Sequence, residues 1–290
     1  MGSVAVVTDT CHYLPRQLVA ARGIHEVSLY VHWDPDGQPR EDREADLPDF
    51  DAYYGHLRSA KQLPTTSQPS IGDFLAVYEP LLAEGRDVVS LHLSGAISGT
   101  FASAQQAREQ LLGRGGERIQ VLDTQSACGG QGLVVLAAHA AAARGASAEE
   151  VVAHVREART QLQMWFAVDT LEYLRRGGRI GAAQAWLGSA LKIKPILTLE
   201  AEITPVERVR TSGRAFERMV DYLKSRHADG ADGWVVQHIQ APAEAARLVE
   251  RGRGVFGTDP CFVSEIGPVI GTHVGPGLLG VGGIPSRLLA

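Results

Sequence analysis

The sequence contains no asparagine and only three cysteines, Cys11, Cys128 and Cys261, far apart in its 290 residues. An odd count without a CxxC or Cys/His spacing excludes a disulfide framework and a structural zinc, and reads as three free thiols in a reducing compartment. Long hydrophobic runs are also missing. The longest low-polarity stretch, Leu133 to Ala143, is interrupted by His139 and is far shorter than the ~20 apolar residues that span a bilayer. There is no basic excess: 28 Lys and Arg face 33 Asp and Glu, a formal net charge of -5. Bulk electrostatics therefore selects no partner, and a nucleic-acid binder is not expected. Met1 to Thr8 lacks the basic region of a signal peptide. The expected location is cytoplasmic, with membrane contact at most transient. The missing asparagine, beside abundant Ala, Arg and Gly, says little about function.

What is present is ordinary globular material, 44% hydrophobic and 21% charged, enough for one large domain or two modest ones. In the first half, apolar runs alternate with helical spacing. Val4 to Val7, Glu26 to Val31, Val88 to Leu93 and Ile119 to Leu122 read as strands. Leu14 to Ala21 (closed by Gly23), Phe50 to Ala60, Ile71 to Glu84, Thr100 to Leu112 and the Ala-rich segment read as helices, with a charged insertion from Asp34 to Asp49. This order predicts a mainly parallel sheet covered on both faces. From about Glu149 the pattern changes. A charged amphipathic helix, Ala148 to Leu162, precedes Phe166-Ala167-Val168, two close strands (Pro195 to Leu199 and Ile203 to Arg208), Trp234 to Ile239, a helix from Pro242 to Arg251, and strands near Phe262 and Leu279. The expectation is a two-domain α/β protein, with a parallel-sheet unit over 1–150 and a mixed or antiparallel α/β unit over 151–290.

Several motifs are weighed against their structural readings. A literal GxGxxG, Gly275 to Gly280, lies ten residues from the last residue and is followed by Gly282, Gly283 and Pro285, which forbid the helix a dinucleotide fingerprint requires. No Walker A lysine follows the glycine loop Gly95 to Thr100, and no GxSxG elbow exists. Ser98, in a strand-to-loop-to-helix turn, reads as a nucleophile, as a helix cap, or as a hydroxyl donor to a bound carboxylate. Pro64-Thr65-Thr66-Ser67-Gln68-Pro69-Ser70 is a second polar loop; a cap at Ser70 explains that residue and leaves Thr65, Thr66 and Gln68 without a role. Thr8-Asp9-Thr10 ends the first strand, at the sheet edge where ligands usually bind. His273 stands in a glycine-rich turn that lets a ligand approach the backbone. Arg175-Arg176-Gly177-Gly178-Arg179 reads equally as a helix C-cap, and Arg208 and Arg210 as a solvated turn or an anion contact.

Taken together, seven segments resemble the DegV family. They are Val7-Thr8-Asp9, Pro64 to Pro69, Leu93 to Thr100, Gly177 to Ile180, Leu191 to Ile196, Val209-Arg210-Thr211 and Gly267 to His273, in family order across nearly the whole chain. The resemblance implies a buried long-chain fatty acid, its carboxylate held by Thr66 and Ser98, with Gly99 and Thr65 alongside and His273 in the same hydrogen-bond cluster. It also implies that a separate ATP-dependent fatty acid kinase makes an acyl phosphate, with Arg210 assisting phosphoryl transfer or docking the kinase. Two departures matter little: Thr10-Cys11 replaces Ser-Thr and Gly95 replaces a second serine, changes that can alter donors at the pocket rim but leave the Thr66 and Ser98 pair in place.

The physics suits such a ligand. Each buried methylene contributes roughly 0.8 kcal/mol, while a carboxylate leaving water needs replacement donors. Hydroxyls, helix-start N–H groups and an imidazole supply them. No nucleophile with an oriented base is visible, so the chain reads as a holder with no catalytic residue, metal or cofactor of its own. A carrier or sensor without a kinase, and an esterase using Ser98 and His273, remain as alternatives.

Overall fold

The computed structural model describes residues 3–35, 37–60, 62–187 and 193–290. Val4 to Val7 extends into strand β1 (Val4–Asp9), buried at every position, as a strand covered on both faces must be. It pairs in parallel with β2 (His25–Val27) and with β6 (Asp87–His92), and β6 pairs in parallel with β7 (Ile119–Asp123), in the order β2-β1-β6-β7. The connecting helices are α1 (Arg16–Arg22), α3 (Ile71–Ala83) and α4 (Thr100–Gln110). Gly23 closes α1 with φ 58°, a left-handed conformation in which glycine lacks the Cβ penalty. Ser70 caps α3, accepting from the Asp73 N–H while Asp73 accepts from Ser70, as its position before Ile71 predicts.

The second half builds a six-stranded sheet, β10-β9-β8-β13-β11-β12. Its strands are β8 (Gln163–Ala167), β9 (Lys194–Glu200), β10 (Glu202–Val209), β11 (Gly233–His238), β12 (Phe262–Glu265) and β13 (Leu279–Ile284). Only β11 and β12 run parallel; every other pair is antiparallel. Helices α8 (Ser212–Ala228) and α9 (Pro242–Phe256) cover one face. The Ala-rich helix α5 (Cys128–Ala143) packs against β1 and β6 of the first sheet and against β8, β11 and β13 of the second. A helix buried on most sides must be apolar on most sides; in α5 the exceptions are Gln131, which donates to Thr8 and Asp9, and the half-buried His139. Three glycines near its start bring it close to its neighbours; a Cβ on Gly132 would lie 3.0 Å from the Phe262 ring. Helix α6 (Ala148–Gln161) packs on α5, so residue 150 lies in its first turn.

Several expectations are corrected. Glu26 to Val31 is not one strand. The chain leaves the first sheet after Val27, and β3 (Tyr30–Trp33) joins a separate three-stranded antiparallel sheet with β4 (Arg40–Arg43) and β5 (Thr65–Ser67). The charged insertion thus contains β4, whose Asp42 accepts from the Trp33 indole at 2.7 Å and from Arg40 at 3.0 Å. The polar loop before Ser70 contains β5, with Thr66 opposite Val31. The C-cap reading of Arg175 to Arg179 fits the short helix α7 (Glu172–Arg176), which ends at Gly177 with Arg175 and Arg176 in its last turn, whereas α10 (Pro268–Val274) replaces the expected turn around His273. Pro268 at its first position needs no N–H there and presets the backbone. Helix α2 (Asp51–Ser59) packs on α10: Tyr54 donates to the Ile266 and Gly267 carbonyls at 2.6 and 2.9 Å, and Tyr53 meets the Thr272 hydroxyl.

Candidate functional site

The carboxyl ends of β6 and β7, the strand β5, the β9–β10 hairpin and α10 surround a cavity of about 300 Å³. Its wall is apolar over most of its extent: Leu93 and Ile97 follow β6, Leu199 and Ile203 come from the hairpin, and Val269, Ile270 and Val274 from α10. One end is polar, where Thr66, Gln68, Ser98, Gly99, Arg179 and His273 meet. A second cavity of about 410 Å³, lined by Thr65, Arg176, Gly177 and Thr272, shares Thr66, Arg179 and His273 with the first. Apolar space behind a few convergent polar groups is the usual form of a small-molecule site.

Thr66, Ser98, Gly99 and His273, named on sequence, therefore meet around one cavity, with Thr65 in the adjoining space. His273 Nε2 lies 2.9 Å from Thr66 Oγ1. Its buried Nδ1 has no partner among the described residues and rests against Gly177, where a Cβ would come within 2.4 Å. An unpartnered Nδ1 carries its lone pair more cheaply than a proton, so the hydrogen is assigned to Nε2 and donates to Thr66. The Thr66 hydroxyl then keeps its own proton for another acceptor. Ser98 Oγ lies 2.9 Å from Thr100 Oγ1 and accepts from the Thr100 N–H at 3.3 Å, so it partly caps α4 as well as facing the cavity. A Cβ at Gly99 would fall 2.2 Å from Gln68 Oε1, so a larger residue there would displace the Gln68 amide, which donates to Ser103 at 3.0 Å.

Burial, and then the Arg179 charge, push the His273 imidazole from its ordinary 6.5 down to about 4. The unfolded chain therefore takes up this proton first as pH falls. The stability gained by keeping His273 neutral is present above about 6.5 and is lost as pH falls toward about 4. Chemical denaturation of ligand-free wild type and His273→Gln across that window should show the wild type losing stability relative to the variant as pH falls. The difference between the two isolates the imidazole from other groups that titrate in the same window.

Other sequence-level candidates sit elsewhere. Arg210 is exposed beyond the end of β10 and lines neither cavity. Arg175 pairs with Glu172 at 2.7 Å, whereas Arg176 lines the second cavity and Arg179 lines both. Thr10, Cys11 and Gly95 line neither, so the expected effect of these departures on the rim is not seen. Thr10 donates to Glu44 at 2.8 Å, Cys11 is buried, and Gly95 lies beside Asp123. Leu191 and Lys192, in one of the seven matching segments, lie outside the described residues.

The esterase alternative requires Ser98 hydrogen-bonded to His273. The imidazole instead meets Thr66, and Ser98 meets Thr100. A Ser-His-Asp relay does occur, from Ser90 Oγ to His92 Nε2 at 2.7 Å and from His92 Nδ1 to Asp9 Oδ2 at 3.0 Å. All three residues have 0% exposure, so no substrate reaches them. Sequence spacing gave no sign of this network, because its members come from two strands paired across 80-odd residues of chain. Among the described residues no group of His, Cys, Asp and Glu could hold a metal ion, and no helix is long and apolar enough to cross a membrane.

A family model described as an uncharacterised protein of the DegV family matches residues 3–286. The protein DegV of Bacillus subtilis is 36% identical over 284 residues, covering 96% of this chain and 98% of the relative. A DegV family protein from Thermus thermophilus, whose structure is described as fatty acid binding, superposes with TM-score 0.85 at 35% identity, covering 98% of this chain and 99% of that one. The crystal structure of B. subtilis DegV, described as a fatty acid binding protein, gives TM-score 0.85 at 34% identity over 97% of this chain and 99% of that one. With its parallel and mixed sheets and the match running nearly end to end, the chain belongs to the DegV family.

Proposed function

We propose that this protein binds one long-chain fatty acid, with the acyl chain in the apolar cavity and the carboxylate at its polar end. The observation that carries the reading is a hydroxyl and an imidazole, Thr66 and His273, bonded at 2.9 Å at one end of a wall of aliphatic side chains. Thr66 and Ser98 donate to the carboxylate, with Gly99 and Thr65 beside them and His273 orienting Thr66. A sixteen-carbon chain offers about 12 kcal/mol of gross burial before association costs. The donors replace the water that the head group loses. Relatives of similar length described as fatty acid binding support the assignment. We further propose a division into units 1–150 and 151–290, the first bringing the hydroxyls and the second the imidazole.

Solvent extraction of the purified protein followed by mass spectrometry should find a stoichiometric fatty acid. The double variant Thr66→Ala, Ser98→Ala removes two donors to a charged acceptor, each worth ~1.5–3 kcal/mol, and should weaken binding by about 100-fold or more while the fold survives. Unchanged lipid content would refute the carboxylate assignment.

In its fuller form the proposal makes the bound carboxylate the nucleophile toward ATP held by a separate fatty acid kinase, so that this chain contributes positioning and charge. Arg210, exposed and outside the cavities, is then a contact for that kinase. Arg210→Ala should retain the fatty acid and slow transfer of labelled phosphate from ATP. A carrier or sensor would show no transfer with any cognate kinase.

A further inference from the structure

The charged insertion sends one side chain into the interior. Glu44 is 2% exposed, and every group around its carboxylate donates. Oε1 accepts from the Tyr13 hydroxyl at 2.9 Å and from the Val269 N–H at 2.8 Å, and Oε2 accepts from Thr10 at 2.8 Å. The Tyr13 oxygen in turn accepts from the Ile270 N–H at 3.2 Å. Glu44 and Tyr13 thus take up the free backbone donors at the start of α10, for which the cap residue Gly267 has no side chain. Gly267 has no room for one either, since a Cβ there would lie 2.6 Å from Glu44 Oε1. The same short helix carries Val269, Ile270 and Val274 in the cavity wall and His273 at its polar end.

We propose that Glu44 is a positioning residue of the lipid site: its ionised carboxylate pins the start of α10, and with it one wall of the cavity and the imidazole, so that retention of the fatty acid depends on the charge of Glu44. The inference rests on the fatty-acid reading given above. A protonated Glu44 would have to donate to the Thr10 or Tyr13 hydroxyl, whose own proton would then turn away, so that one of the three donors now converging on the carboxylate is lost. Burial pushes this carboxyl up to about 7, against the hydrogen bonds from Val269, Thr10 and Tyr13, which favour the ionised form. The titratable groups around it are Asp9, Cys11, Tyr13, Tyr53, Tyr54 and Cys128. Asp9 is held below its ordinary range and the thiols and phenols are pushed above theirs. His273 is moved down to about 4. Among these groups, Glu44 is the one moved to near neutrality. The linkage to stability has the opposite sign: a carboxyl raised from 4.5 to about 7 in the folded state takes stability away as pH rises through that interval.

The test is the dissociation rate of a pyrene-labelled dodecanoic acid from delipidated full-length protein between about pH 5.5 and about pH 8.5. In wild type, release should accelerate about tenfold on acidification, with a midpoint near 7. Glu44→Gln keeps an acceptor for Val269 but is neutral throughout; it should release fast at every pH, and Glu44→Asp should restore a pH step. If Glu44→Gln does not fold, Tyr13→Phe, which deletes the hydroxyl that bridges Glu44 and the Ile270 N–H, must speed release in a folded protein. A flat wild-type profile, or the same step in Glu44→Gln, overturns the inference while leaving lipid binding intact. A wild type that binds no acid at all overturns the fatty-acid reading, and this inference with it.

Discussion

Asp9→Ala should lower the unfolding free energy by about 3–5 kcal/mol, the range for removing one partner of a buried charged network. The carboxylate has 0% exposure and four donors. Oδ1 accepts from the Cys11 N–H and from Gln131 Nε2, both at 3.0 Å, and Oδ2 accepts from the Leu93 N–H at 2.9 Å and from His92 Nδ1 at 3.0 Å. Truncation orphans all four inside the protein, where each keeps its desolvation cost without a partner. Burial raises the Asp9 pKa, but the hydrogen bond and charge of His92, with the bonds from Gln131 and Leu93, outweigh it and lower it below the ordinary carboxylate range. Its contribution to stability is therefore present above pH ~4 and is lost as pH falls through and below that value. Urea denaturation at neutral pH should show a lower midpoint at unchanged slope. Asp9→Asn should lose less and flatten the acid limb. A shift under ~1 kcal/mol in the alanine variant would mean that the four bonds carry little net weight.

Asp9 also marks where sequence reasoning stops. The strand containing it is legible from four consecutive apolar residues, and α5 from composition, since a helix of mostly Ala, Gly, Val and Leu has to be largely buried. The β9–β10 hairpin follows from spacing, with Ala201 at φ 64° making the turn. What stayed hidden is made by long-range pairing. β4 has four charged residues and no alternation, β5 has three polar ones, and α10 is a short glycine-flanked segment whose N-terminal donors are met from far along the chain by Glu44 and Tyr13. The site divides the same way. Thr66, Ser98 and His273 were legible through family resemblance, while Gln68, Arg179 and Glu44 gain their roles from neighbours 25 or more residues away, to which local periodicity is blind.

Gly177→Ala should weaken fatty acid binding by about tenfold or more and cost ~1–3 kcal/mol of stability through overpacking. Gly177 ends α7 with φ -77° and ψ -7°, a conformation alanine adopts freely, so its backbone gives no reason for glycine. The reason is the neighbour: a Cβ would lie 2.4 Å from His273 Nδ1, well inside van der Waals contact. The backbone carbonyl of Tyr173, 3.1 Å from the same point on the other side, leaves the methyl little room to move. The imidazole must rotate, breaking its 2.9 Å bond to Thr66 and leaving unoriented the hydroxyl proposed to donate to the head group. Gly178 supplies the control. Its φ is +72° with nothing within 4 Å of its Cβ, so Gly178→Ala should cost ~1 kcal/mol of backbone strain and leave affinity unchanged. Titration with a fluorescent fatty acid and thermal melts on both variants separate the two effects, because one glycine is needed for space beside the ligand's end of the cavity and the other for a turn. If Gly177→Ala binds the acid as wild type does, the imidazole takes no part in holding the carboxylate, whatever its distance from Thr66.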